Sequence, residues 1–220
     1  MNMLNKICQW AIFLVLMSNH ASVFASDAVE QLKIFSKFAK NASGDFVQQQ
    51  VIMNSEGKPR LLKELSGHFL FSRPGKFMWE VEQPYQQKMV ADGKQLAMYD
   101  KDLNQVTYRP ATQALATTPA AILFGDTAVD VYFDITLAGK KGDLTWLELT
   151  PKVNKSGASD IPYSKIGIGM MNNLPQAMEL RDNFGNVVLL TLSHIKTNIP
   201  ISSSEFIFKP PPGTDIVKLP

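Results

Sequence analysis

Residues 67–109 read GHFLFSRPGKFMWEVEQPYQQKMVADGKQLAMYDKDLNQVTYR, and they limit the fold more than any other stretch. Five short runs within or beside it, 68–72, 76–82, 88–91, 94–99 and 105–109, fit β-strands. The joints between them are specific. Arg73-Pro74-Gly75 puts proline at the second position of a turn and glycine at the third. That is the type II pattern, because the third position needs φ > 0. Asp92-Gly93 stands alone between two runs, which is a strong hairpin signal. The stretch is therefore predicted to be an antiparallel meander with tight corners, with Arg73 at the first corner.

The side chains add a second constraint. Phe77, Trp79 and Val81 share one face of their run, while Met78 and Glu80 share the other. Phe69 and Phe71 oppose Leu70 and Ser72, and Leu96 and Met98 oppose Ala97 and Tyr99. An ordinary half-buried strand alternates apolar with polar residues. Here both faces are largely apolar. Either a second layer covers the other face or one face lines a cavity, and the pattern supports both equally.

The Arg73-Pro74-Gly75-x-Phe77-x-Trp79 core is followed by Pro84-Tyr85, Asp92-Gly93 and Tyr99-Asp100-x-Asp102-Leu103-x-Gln105-Val106-Thr107. This series resembles the LolA family of periplasmic lipoprotein carriers. The likeness resumes at Thr118-Pro119-Ala120 with Ile122-Leu123, and at Met178-Glu179-Leu180-Arg181-Asp182 with Gly185. It returns at Phe206-Ile207-Phe208 and Pro211-Pro212-Gly213-Thr214-Asp215. The resemblance implies a mainly β fold: an incompletely closed antiparallel β-barrel with a lid of short α-helices over a hydrophobic cavity. It implies a carrier that receives acylated lipoproteins from an inner-membrane lipoprotein-releasing ABC transporter and delivers them to an outer-membrane lipoprotein receptor. It also implies that Arg73 hydrogen-bonds the lid helices and gates them. The alternative is a lipoprotein-sensing periplasmic regulator, or a carrier of another lipid, on the same fold. A regulator is expected to carry a second domain, whereas this chain ends soon after Pro211-Pro212-Gly213.

The amino-terminal residues stand apart from the domain. Lys6 lies in a short positive head, residues 11–17 are the apolar run AIFLVLM, and Val23-Phe24-Ala25 fits a signal-peptidase site. A transmembrane helix needs about twenty apolar residues, and Asn19 and His20 interrupt too early. A signal peptide over 1–25 is expected, leaving one domain over 26–220, soluble in the periplasm. Cys8, the single cysteine, lies inside that signal and before its apolar run. The mature chain then has no disulfide, no thiolate metal site, no cysteine nucleophile and no lipid anchor. The formal net charge is +2, with no basic stripe or polybasic cluster. That pattern argues against nucleic acid and against anionic membrane surfaces.

Residues 27–40 are a predicted helix. Asp27 caps it and Glu30 completes a capping box, while Val29, Leu32, Phe35 and Ala39 recur at helical spacing. Thr118-Pro119 starts a second, short helix that Gly125 ends. Leu32 and Phe35 from the first helix, and Ile122, Leu123 and Phe124 from the second, are the candidate lid contacts. The candidate cavity lining is Phe69, Phe71, Phe77, Met78, Trp79, Met89, Leu96 and Met98, chosen because aromatic and methionine side chains adapt to irregular apolar ligands. Further strands are expected at 45–53, 131–137, 144–150, 166–172, 176–181, 187–193 and 205–209, with a polar loop over 153–162. About a dozen strands imply a strongly curved sheet.

Enzyme chemistry finds no footing. There is no G-x-S-x-G and no H-E-x-x-H. His68 and His194 each stand alone in a strand. Asp100, Asp102 and Asn104 begin like a calcium loop, but Gln105 and Ala111 replace its required glycine and glutamate. A monomer with no cofactor, no metal and no catalytic residue is expected.

Overall fold

The computed structural model describes residues 27–54, 56–111, 123, 129–152 and 161–219. The expected signal, residues 153–160 of the expected 153–162 loop, most of the second helix, and Ile122 and Phe124 with it, lie outside the described residues.

One helix, α1 (Ala28–Phe38), precedes the sheet. Asp27 caps it by accepting a hydrogen bond from the Val29 N–H at 3.1 Å. The strands follow as β1 (Asn41–Met53), β2 (Pro59–Ser72), β3 (Lys76–Gln83), β4 (Gln87–Asp92), β5 (Gln95–Asp100) and β6 (Gln105–Pro110). After a helical turn, Val129–Tyr132, come β7 (Phe133–Lys141), β8 (Leu144–Pro151), β9 (Tyr163–Met171), β10 (Leu174–Asp182) and β11 (Val187–Thr197). A 3-10 turn, Ser203–Phe206, leads to β12 (Asp215–Lys218).

All twelve strands form one sheet in the order β12-β6-β5-β4-β3-β2-β1-β11-β10-β9-β8-β7. Every pairing is antiparallel except β12 with β6, which is parallel. The two ends of that order do not pair, so the sheet curls without closing, as the resemblance implied. β-bulges bend it where β1 meets β2 and β11, and where β2 meets β3. Further shifts lie between β9 and β10 and between β7 and β8. A bulge adds local twist and bends its strand, so the bending is spread along the order.

Three local readings are corrected. The corner at Arg73 is a three-residue loop, since Ser72 pairs with Lys76, and its Arg73–Pro74 bond is cis. It keeps the left-handed glycine of the expected turn, with Gly75 at φ +62°. Residues 205–209 are not a strand. Phe206 and Phe208 show period-two spacing, but Phe206 is buried in the 3-10 turn and Phe208 meets the Tyr99 ring at 5.2 Å. Residues 131 and 132 belong to the helical turn, and β7 begins at Phe133.

Candidate functional site

Register assigns every strand residue to a face. Phe69 pairs with Trp79 and Phe71 with Phe77; Trp79 pairs with Met89 and Met89 with Met98; Ala91 pairs with Leu96. Seven of the candidate lining residues thus share one face. The eighth is a correction. Met78 pairs with Leu70 and Val90, one position out of phase, and turns to the opposite face. There it is buried, as are Val90, Ala97, Val106 and Phe206. Each face of the meander is therefore covered, the first by packing with α1 and the second by the turn that carries Phe206.

The first face is the concave one. It continues across β1 and the second half of the sheet through Phe46, Leu192, Leu190, Met178, Ile168 and Leu147, all buried in one cluster with the meander aromatics. Phe46 stacks on Trp79 with ring centroids 3.9 Å apart, and Phe69 lies 6.0 Å from Trp79 on its own side. Two glycines make room for these rings. A Cβ at Gly44 would meet the Phe69 ring at 2.7 Å. A Cβ at Gly67 would meet the Glu80 carbonyl oxygen at 1.8 Å and Phe46 at 3.1 Å. Sequence reasoning passed over both glycines and over Phe46. Their signal is an isolated glycine inside a strand pattern, which marks a bulge or a close approach.

Towards one end the same face turns polar. Gln48 and Gln50 of β1 share it, with Lys63 of β2 opposite Gln50. The Lys63 ammonium donates to the Tyr85 hydroxyl at 2.6 Å and sits 4.2 Å from its ring centroid. The face thus has an apolar floor and a polar rim.

α1 covers the floor. Leu32 and Phe35 are buried in the same cluster as the aromatics, as is Leu123. Phe35 meets Phe71 edge-on at 6.1 Å. The helix is held by polar groups that reach its backbone or its ends. Arg73 Nε donates to the Ala39 carbonyl at 3.1 Å, and Nη2 donates to the Leu123 carbonyl at 3.2 Å. One guanidinium thereby bridges the end of α1 and Leu123. Its planar fork suits carbonyls that a helix end leaves without partners. It also lies 5.3 Å from the Phe71 ring centroid, a cation–π distance. Asn198 Nδ2 donates to the Phe38 carbonyl at 3.1 Å, while its Oδ1 accepts from the Lys40 N–H at 2.9 Å. The buried Gln31 accepts from the Asn173 N–H at 3.0 Å. Gln31 and Asn198 could not be found in advance, because each is a lone polar residue whose partner lies far along the chain.

The histidines stand elsewhere, and neither is alone. His68 shares the convex face with Glu80 and lies 3.5 Å from Glu80 and 3.3 Å from Glu82. His194 Nδ1 lies 2.7 Å from Asp45 at an exposed site. At the β10–β11 turn, burial acts to raise the Asp182 carboxyl. Hydrogen bonds from the Asn186 side chain and from the backbone of Asn186, Phe184 and Gly185 outweigh it and hold the group below the usual range. Burial pushes the nearby Tyr163 hydroxyl up, and the Asp182 charge adds to that.

An open antiparallel sheet curled around an apolar floor, rimmed with polar groups and roofed by a helix, has the architecture of a binding module for apolar ligands. The family model described as "Outer membrane lipoprotein carrier protein LolA" matches residues 37–209, and the chain belongs to that family. It is 44% identical over 192 residues to an outer-membrane lipoprotein carrier protein of Ralstonia nicotianae, covering 87% of each chain. It is 41% identical over 208 residues to a protein of the same description from Cupriavidus necator, covering 94% of this chain and 93% of that one. Among solved structures, an uncharacterized conserved protein from Thermus thermophilus shares the fold, with a TM-score of 0.56 at 14% identity. That alignment covers 87% of this chain and 99% of the other.

Proposed function

We propose that this chain is a periplasmic carrier of acylated lipoproteins and that the concave face is its acyl site. One observation carries the reading. The apolar floor is already filled by α1, whose side chains stand where acyl chains would lie and whose backbone is held by a few side-chain hydrogen bonds. Burying acyl chains contributes ~0.8 kcal/mol per methylene, so three chains total several tens of kcal/mol. Spontaneous escape into water is negligible at that magnitude. A shuttle must replace much of the burial with its own surface when it unloads, and the Leu32 and Phe35 side chains of α1 do this.

In this reading Phe69, Phe71, Phe77, Trp79, Met89, Leu96 and Met98 line the site, with Phe46 added and Met78 withdrawn. Arg73 gates the lid, because charged hydrogen bonds worth ~1.5–3 kcal/mol each can hold it shut yet yield to acyl chains. The chain acts as a single domain after removal of residues 1–25, as a monomer. An inner-membrane ABC transporter loads it and an outer-membrane receptor unloads it. It binds acyl groups without cleaving them.

The test is displacement of a fluorescent fatty-acyl probe from the purified mature protein by a lipopeptide, with the probe recovered intact. No displacement, or hydrolysis of the probe at a rate that depends on His68 or His194, overturns the reading. Intact mass should place the amino terminus at Ser26, unacylated.

A further inference from the structure

The sheet has two unpaired borders, and they differ. β12 is four residues long, is preceded by Pro210-Pro211-Pro212, and pairs in parallel with β6. β7 is nine residues long and pairs only with β8. Among the described residues, the outer side of β7 has no backbone partner. Edge strands of this kind template the addition of another strand unless they are blunted by charge, proline or a bulge. Here most of the blunting lies at the far end. A bulge lies between Leu137 and Gly139, Gly139 is left-handed at φ +83°, and Lys140 and Lys141 follow. Phe133 to Leu137 carries no proline and no bulge; its one charge is the exposed Asp134, 3.9 Å from Lys152 and out of phase with Phe133, Ile135 and Leu137.

That open stretch is continuous with the concave face. Phe133 is buried in the same cluster as the aromatics, and Ile135 packs against it. Outward from there lie further exposed apolar side chains. Leu137 is 56% exposed, and Val131 and Tyr132, just before the strand, are 58% and 52% exposed. An acyl chain on the floor and an extended peptide on this border would be adjoining parts of one continuous surface.

We propose that β7 receives, by strand addition, the extended polypeptide segment that adjoins the acylated residue of the cargo. The proposal rests on the carrier reading and deepens it. The floor takes the acyl groups, and the Phe133–Leu137 border takes the backbone through main-chain hydrogen bonds. Main-chain pairing is blind to side-chain identity, so one border serves cargoes of different sequence.

The experiment compares amide hydrogen exchange of the full mature protein alone, with palmitate, and with a diacylated peptide carrying an extended segment. Alternate amides of residues 134–137 are expected to slow about ten-fold more with the lipopeptide than with palmitate, the effect of one or two added hydrogen bonds. A lipopeptide N-methylated along its backbone should bind about ten-fold more weakly than its parent for the same reason. Equal exchange in the palmitate and lipopeptide states, or equal affinity of the two lipopeptides, overturns strand addition and leaves the carrier reading standing. Protection that appears without cargo and rises with protein concentration also overturns it, since a second copy would then occupy the border. Failure of the lipopeptide to displace palmitate removes the carrier reading, and the proposal with it.

Discussion

The strands β3 to β5 are covered on both sides, and the two covers are built differently. On the convex side, Phe206 and the 3-10 turn pack over the face that carries Met78, Val90 and Ala97. That cover is tied down by main-chain continuity. The Asp215 N–H donates to the Asn104 carbonyl at 2.9 Å, Asn104 Nδ2 donates to the Gly213 carbonyl at 2.9 Å, and β12 joins the β6 ladder. On the concave side, α1 adds no strand to the ladder and is held at its end by Arg73 and Asn198. Removing the first cover would break part of the sheet, while removing the second would break side-chain contacts alone. The residues differ too: mostly medium and small apolar groups under the turn, mostly aromatics and methionines under the helix.

The comparison can be tested with a pair of truncations. Phe206→Ala should lower stability by ~3–5 kcal/mol through cavity formation. Its acyl-probe affinity should stay within about two-fold of the parent, since distant sites act additively. Phe35→Ala should lower the stability of the empty protein by a similar ~3–5 kcal/mol, yet tighten probe binding by about ten-fold or more. Weakening a lid that competes with the ligand favours the ligand. Urea denaturation and probe titration measure both quantities. Equal affinity changes in the two variants would mean that α1 is a permanent core helix.

Arg73→Leu sharpens the comparison at the tether. The variant should fold and load, but closure would no longer help to expel cargo. Transfer of lipoprotein from loaded carrier to receptor should fall by at least roughly ten- to a hundred-fold, the equivalent of one of the two charged hydrogen bonds that the substitution removes. Unchanged transfer would return Arg73 to a structural role at its corner.

The smallest effect belongs to a turn outside both covers. Asp182→Ala should lower the melting temperature by ~2–4 °C and leave probe binding alone. Because the folded state holds this carboxyl below its ordinary value, its contribution is complete above about pH 4 and is lost as the pH falls through the depressed folded value. The melting curves of parent and variant should therefore converge in acid. A gap that persists at low pH would mean that the turn depends on shape and not on the charge of Asp182.

The meander was legible because its corners carry their own chemistry. Gly75 and Gly93 both adopt the positive φ that their turn signals require. Period two also sorted Phe77 and Trp79 from Met78 correctly. What it could not do was say which set faced the helix, because that depends on α1 reaching strands far along the chain. The aromatic spacing of Phe206 and Phe208 imitated a strand for the same reason: alternation records which residues share a side, and a single turn can satisfy it. β12 left little trace, since a short exposed border strand needs no apolar alternation. The helical cover was named through family resemblance; its anchors Gln31 and Asn198 carry no local pattern at all.

The missing pairing between β7 and β12 has a mechanical consequence. In a closed barrel, strand number and shear determine the bore, and the wall cannot widen without breaking a ladder. A sheet with a free seam has no such fixed circumference. Its girth can change by small increments of twist spread over eleven pairings, each retaining its hydrogen bonds. A container of that kind adjusts to the thickness of its contents, gripping a slender load and a bulky one with the same wall.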